Sequence, residues 1–286
     1  MPFASREKGV ILVAVLWICA LIMWFALQIA AETRLQGEEQ IHAIKKSQAL
    51  FLALGGCYEA LARMQGHDQA PAFGEQPSDQ NWQPDGISRV VEYETGAAVV
   101  IVEPEEEKVN INKAGPEQLN AVFERAGIED LGVANRLADL ILDFVDRDNV
   151  PRLHGGEADF YRNLGLNYGP FDAPFTSIDQ LLLIPGITQE LYYGYERSES
   201  DLMLPAKNSL FSLCTIYGNN IKLSQTEDLE EREFGQKAPS WKQGGVYRIY
   251  SFGRSSNGPP VAGYCMIVKL GGDARHPYKV LYRRLL

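Results

Sequence analysis

The sequence predicts an α+β fold: a long N-terminal helix packed on an antiparallel β-sheet, with an all-α domain inserted into the run of strands. Three observations predict it. An apolar run at residues 10–31 passes, with no intervening proline, into an amphipathic stretch that ends near Met64. Segments rich in β-branched and aromatic residues occur at 87–103 and again after 210. Between them, residues 105–200 read as helices joined by Pro/Gly turns.

The helix comes first. Residues 10–31 contain Gln28 as their only strongly polar side chain. As a helix they would extend about 33 Å at 1.5 Å per residue, enough for a bilayer core of about 30 Å. A secretory signal core is shorter, about 7–15 residues, and ends at small residues. Ile29, Ala30 and Ala31 keep that alternative open. The pattern continues, however, with Ile44, Phe51, Leu54, Tyr58 and Leu61 as one apolar stripe. One continuous helix over 10–64 is expected, apolar all round in its first half and amphipathic in its second. Arg6 and Lys8 precede the apolar run, which by the positive-inside tendency puts the N-terminus in the cytoplasm.

A polar loop is expected at 66–86, then a hairpin turning at Thr95-Gly96. In the helical stretch, Pro116 opens a helix with Leu119, Val122 and Phe123 inward. Residues 133–146 form a second, with Leu137, Leu140, Ile141 and Phe144 inward, and a Pro/Gly-rich loop follows over 148–174. Ser177 and Thr188 are helix caps on either side of a Pro185-Gly186 turn. Residues 210–223 are expected to form a hairpin around Gly218-Asn219-Asn220, and three alternating segments after 245 complete an antiparallel sheet.

Charge restricts the partners. Residues 104–200 carry 8 Lys/Arg and 18 Asp/Glu, so the whole net charge of −10 sits in the inserted stretch. Phosphate would be repelled there, which argues against nucleic acid. The turn "LLIPGI" is that of a helix-hairpin-helix, a motif that approaches phosphate through glycine amides. Here Gly186-Ile187-Thr188 lacks the second glycine, and Gln189 and Glu190 stand where basic residues would help. A membrane-anchored DNA-binding or uptake protein is the alternative function. No nucleophile elbow, phosphate loop or Cys/His arrangement is present, so an enzyme is not expected.

Four cysteines (Cys19, Cys57, Cys214, Cys265) show no CxxC spacing. Cys214 and Cys265 could pair if that region is extracytoplasmic; two buried free thiols are the alternative. The acidic residues Asp143, Asp146, Asp148, Glu157 and Asp159 gather at a helix end and its loop with no lysine nearby. Such oxygen-rich sets suit a hard cation such as Ca²⁺, although a solvated acidic loop has the same composition.

The arrangement of Lys8-Gly9 before about twenty apolar residues resembles the leader of type IV prepilins and pseudopilins. "KVNINKAGPEQL", "LILDFVDRDNVPR", "GGEADFYRNLG", "SIDQLLLIPGITQELY" and the terminal "VLYRRLL" resemble, in that order, the K-type minor pseudopilins of type II secretion (the GspK family). The resemblance weakens over 198–245, where many members carry further sequence.

The resemblance implies a pilin-like fold with an inserted helix-hairpin-helix or SAM-like domain. Its parts would be a leader (1–9), a transmembrane segment (10–31), a helix stalk and first hairpin (32–104), the acidic inserted domain (105–200) and a C-terminal β part (201–286). It implies cleavage by prepilin peptidase between Gly9 and Val10 and methylation of the new N-terminus. It further implies a single-pass bacterial inner-membrane protein in contact with membrane lipid, its body in the periplasm, binding Ca²⁺ in the insert. Such a protein would sit at the pseudopilus tip with I- and J-type minor pseudopilins, start assembly and support export of folded proteins. Ala14 stands where ordinary pilins carry a glutamate thought to pair with the amine of the subunit ahead. A tip subunit has none ahead, and an unpaired carboxylate in a bilayer is costly.

Overall fold

The computed structural model describes residues 7–64, 82–194, 196–197, 203–218, 241–255, 261–272 and 277–286. Most of the loop expected at 66–86 lies outside them. Two compact units divide the chain, Met1–Gln48 and Ala49–Leu286. Helix α1 runs Glu7–Met64. In the first unit it contains the stretch Leu12–Ala30, with mean hydropathy 2.5, the one helix among the described residues long and apolar enough to cross a membrane.

The second unit begins with the last turns of α1 and continues with β1 (Arg89–Tyr93) and β2 (Gly96–Pro104). The stretch inserted between β2 and β7 runs past the expected end at 200 and holds, among the described residues, β3 (Val109–Asn110), α2 (Pro116–Arg125), α3 (Leu131–Val145), α4 (Ala158–Asn163), a 3₁₀ segment (Ile178–Leu183), α5 (Gln189–Tyr193), β4 (Glu196–Arg197), β5 (Met203–Leu204), α6 (Leu210–Leu213) and β6 (Cys214–Thr215). Three long strands follow: β7 (Val246–Ser255), β8 (Ala262–Leu270) and β9 (Tyr278–Leu285). The antiparallel sheet has the order β1-β2-β7-β8-β9, so β2 and β7 are neighbours across the whole insertion.

Both faces of the sheet are covered. Ala98, Val100, Val102, Ile249, Met266 and Val268 form one core with Cys57, Ala60 and Leu61 of α1. Tyr250, Phe252 and Cys265, on the other face, join the core of the inserted stretch, which contains Leu119, Phe123, Ile141, Phe144 and Phe211. Double coverage explains why "AAVVIV" and "CMIV" are continuous apolar runs instead of clean alternations.

The structure corrects three expectations. First, α1 does not bury the Ile44–Phe51–Tyr58 stripe. Ile44 is 57% exposed, Phe51 69% and Tyr58 49%, while Leu61 of the same stripe is buried. The buried face of the second unit's helix is rich in small residues, Ala49, Ala53, Gly56, Cys57 and Ala60, with Leu52, Leu61 and Met64 beside them. At its closest approach to the sheet the helix leaves no room for larger ones. A Cβ on Gly56 would come 2.8 Å from both Ala98 Cβ and Val100 Cγ2, and one on Gly253 of β7 would strike the Ala49 carbonyl. Second, Leu210–Leu213 is a short helix capped by Ser209, not a hairpin arm. It leads into β6, which pairs in parallel with β3, Val109 opposite Cys214. Third, the insert is therefore helical but not all-α. The β3–β6 ladder, extended by Ile111 N–H to the Thr215 carbonyl at 3.0 Å, draws its entry and exit together. That juxtaposition lets β2 and β7 pair as though the insertion were absent.

Candidate cation site

Asp130 caps α3, accepting from the amides of Gly132 (2.7 Å) and Val133 (3.3 Å). The apolar face of α3, with Leu137, Leu140, Ile141 and Phe144, is packed in the core. Those contacts fix the roll of the helix and carry Asp143 into the interior, where it is fully buried. A buried carboxylate needs donors, and the loop after α3 supplies them. Asp143 Oδ1 accepts from the Arg152 guanidinium at 2.6 Å. Its Oδ2 accepts from the backbone N–H of Arg152 at 3.1 Å and of Gly156 at 2.8 Å. A side chain at 155 would collide with this carboxylate, so Gly155 is required for the close approach.

Asp146 ends α3, and Oδ2 of its carboxylate accepts from the same Arg152 nitrogen. Its Oδ1 is buried and has no hydrogen-bond partner. Glu157 occupies the cap position of α4 but makes no cap bond with its side chain, and its Oε1 is likewise buried and unpartnered. Oxygens of Asp146, Asp148 and Glu157 lie within 4.8 Å of one another. Tyr161 is fully buried with an unpartnered hydroxyl. Burial chiefly raises its pKa, followed by Tyr168, Asp143 and Glu157. Glu157 is also pushed above the usual carboxylate range, first by desolvation, then by Asp143, Asp146, Asp172 and Asp148. Asp172 is the one non-glycine residue at positive φ (51°) among the described residues.

This arrangement is short of positive charge. One guanidinium faces several carboxylates, and buried oxygens of Asp146 and Glu157 lack donors. A cation would relieve both conditions. The donors are all hard oxygens, which suits Ca²⁺ and not a thiolate- or imidazole-seeking metal. Three carboxylates supply part of the six to eight oxygens Ca²⁺ takes, leaving room for water or carbonyls.

Of the residues expected from sequence, Asp146, Asp148 and Glu157 are brought together. Asp143 is adjacent but taken up by the loop. Asp159 points elsewhere, 84% exposed and paired with Arg162 at 2.6 Å. Arg152, Tyr161, Asp172 and the Gly155-Gly156 pair were not anticipated. The lone arginine of "VPRLHGG" inside an acidic segment was the available signal.

Cys214 and Cys265 are both buried free thiols near Arg248, each pushed up to about 12, burial being the main cause. Gly9 and Val10 fall in the first turns of α1.

Residues 98–198 match the family model described as "Type II secretion system (T2SS), protein K". The type II secretion system protein K of Klebsiella pneumoniae is 27% identical over 198 residues, which cover 65% of this chain and 60% of that protein. The corresponding protein of Pectobacterium carotovorum subsp. carotovorum is 24% identical over 201 residues, covering 66% and 61%. The chain thus spans about three fifths of the length of the curated relatives it matches. Among solved structures, a chain of the GspK-GspI-GspJ complex from enterotoxigenic Escherichia coli aligns with a TM-score of 0.43 at 16% identity, over 89% of this chain and 99% of that one. The chain is thus similar to type II secretion system protein K, and the similarity to that family's model lies in its residues 98–198.

Proposed function

We propose that this protein is a minor pseudopilin of a type II secretion system. It would be anchored in the inner membrane by the apolar part of α1, with its body in the periplasm and I- and J-type minor pseudopilins as partners. The observation that carries the reading is the protein K match over 98–198 in a chain whose first helix holds the membrane-length stretch Leu12–Ala30. Gly9 and Val10 are the proposed peptidase junction. The inserted stretch gives a mechanical reason for a place at the tip. It adds bulk on the sheet face opposite α1, and a side domain of that size would clash with neighbours inside a tightly wound shaft. In this reading the protein starts assembly and supports export of folded periplasmic proteins. Deleting its gene should leave such proteins trapped in the periplasm; undiminished export would overturn the reading. N-terminal sequencing of membrane-extracted protein should begin at Val10.

The same reading places Ca²⁺ on Asp146, Asp148 and Glu157. The ion would offset the mutual repulsion of the carboxylates and close the loop onto α3 and α4. Millimolar calcium should raise the melting temperature of the detergent-solubilised protein, and Asp146→Ala should remove the rise. A melting temperature indifferent to calcium would sink the cation assignment.

A further inference from the structure

We propose that Arg152 is the positioning residue of this cation site: it occupies Asp143 and one oxygen of Asp146, and so turns the other Asp146 oxygen, with Asp148 and Glu157, toward the ion. The proposal rests on the calcium reading above and goes beyond it by dividing the carboxylates into braces and ligands. Asp143 is assigned as a brace because it is not among the three carboxylates whose oxygens converge, and both its oxygens are engaged, one by the guanidinium and the other by two backbone amides. Asp146 is split: Oδ2 meets Arg152 while Oδ1 stays buried and unpartnered. Glu157 Oε1 and the hydroxyl of the fully buried Tyr161 are likewise unpartnered, and a carboxylate oxygen of Glu157 lies within 4.8 Å of those of Asp146 and Asp148. One guanidinium nitrogen thus orients the last turn of α3 and holds the loop that carries Asp148.

Two effects of Arg152 oppose each other. Its charge repels a second cation, which would make its removal tighten binding. Its hydrogen bonds orient a ligand, which would make its removal weaken binding. The guanidinium side chain is 37% exposed, so its field is screened by water and salt. Loss of an orienting partner of a metal ligand lowers affinity by about 10–100-fold. Orientation therefore dominates.

The test is calorimetric titration of CaCl₂ into the calcium-stripped, detergent-solubilised full chain. Arg152→Gln and Arg152→Met both remove the charge, and the second keeps the volume of the stem, so either neutral variant suffices. Both should bind calcium about tenfold or more weakly. Arg152→Lys, which keeps a charged donor, should fall between them and wild type. In an Asp146→Asn background, Arg152→Gln should cause a smaller further loss than in wild type, because part of its effect passes through Asp146 and the rest through Asp143 and the loop. A neutral variant that binds as tightly as wild type, or more tightly, overturns the positioning role while leaving the calcium site standing. Wild type that takes up no calcium removes the site and the role together.

Discussion

The guanidinium of Arg248 on β7 and the carboxylate of Glu105, just beyond β2, form an ion pair in which both side chains are fully buried. Arg248 also donates to the carbonyls of Phe211 and Cys214, the latter at 3.0 Å, and lies over the Phe211 ring with its Cζ 5.0 Å from the centroid. One side chain therefore joins the sheet to both the entry and the return of the inserted stretch. Burial opposes its charge, but Glu105 holds its pKa well above the ordinary arginine value. Removing one member of such a pair strands the other in the interior, which destabilises by about 3–5 kcal/mol. Arg248→Met should show a loss of that size in urea denaturation. Arg248→Met combined with Glu105→Leu should be less harmful than the sum of the two single changes. Additive losses would mean that the two side chains do not depend on each other.

Two adjacent glycines of α1 should respond oppositely to alanine. Gly56 faces the sheet, where a methyl group would crowd Ser251, Ala98 and Val100. Overpacking of this kind typically destabilises by about 1–3 kcal/mol, and Gly56→Ala should do so. A Cβ on Gly55 meets only the end of the Tyr93 side chain, with the hydroxyl at 3.0 Å. That ring can give way, and alanine is a better helix former than glycine by about 1 kcal/mol. Gly55→Ala should leave thermal stability unchanged or raised. Equal loss at both sites would show that the helix does not press on the sheet as described.

This contrast marks what the sequence could and could not convey. The β1–β2 turn, the α2 and α3 core faces and the Ser177 and Thr188 caps were legible, because each follows from local periodicity or local hydrogen bonding. The face of α1 was not. Hydrophobicity ranks Phe51 and Tyr58 above Ala53 and Gly56, whereas proximity to a sheet selects the small residues. The β3–β6 pairing was hidden for a different reason: two-residue strands more than a hundred positions apart leave no periodic signal. In the acidic loop, composition revealed the carboxylates but not their division of labour. That division depends on Arg152 folding back nine residues onto Asp143.

Acid should loosen the junction near β2. Burial pushes the Glu103 pKa up, but the Lys108 ammonium, 2.6 Å away, outweighs it and holds the carboxyl below its ordinary value of 4.5. The folded state then binds protons less readily than the unfolded chain. Glu103 contributes stability above the ordinary carboxylate pKa, and that contribution is lost as pH falls through the lower folded value. Melting temperature should therefore drop between about pH 5 and pH 3, and Glu103→Gln should flatten that part of the curve. Parallel curves for wild type and variant would discount the pair.

The acidic residues themselves should separate into three classes under substitution, and this separates a built site from a merely charged loop. Asp159→Ala should leave both stability and calcium response as they are, since its exposed partner Arg162 lies outside the cluster. Asp143→Asn should lower stability even without calcium. An amide can still accept from the loop, but the guanidinium at 2.6 Å loses its buried counter-charge, and hydrogen bonds to charged groups contribute about 1.5–3 kcal/mol. Asp148→Asn should behave in the opposite way, with stability in chelator close to wild type and the calcium-induced rise in melting temperature reduced. The side chain of Asp148 makes one local bond, to the Val150 amide at 2.9 Å, and an asparagine oxygen preserves it. A solvated acidic loop would give a different result. Each neutralisation there would relieve repulsion by a similar small amount, and Asp159 and Asp148 would be indistinguishable.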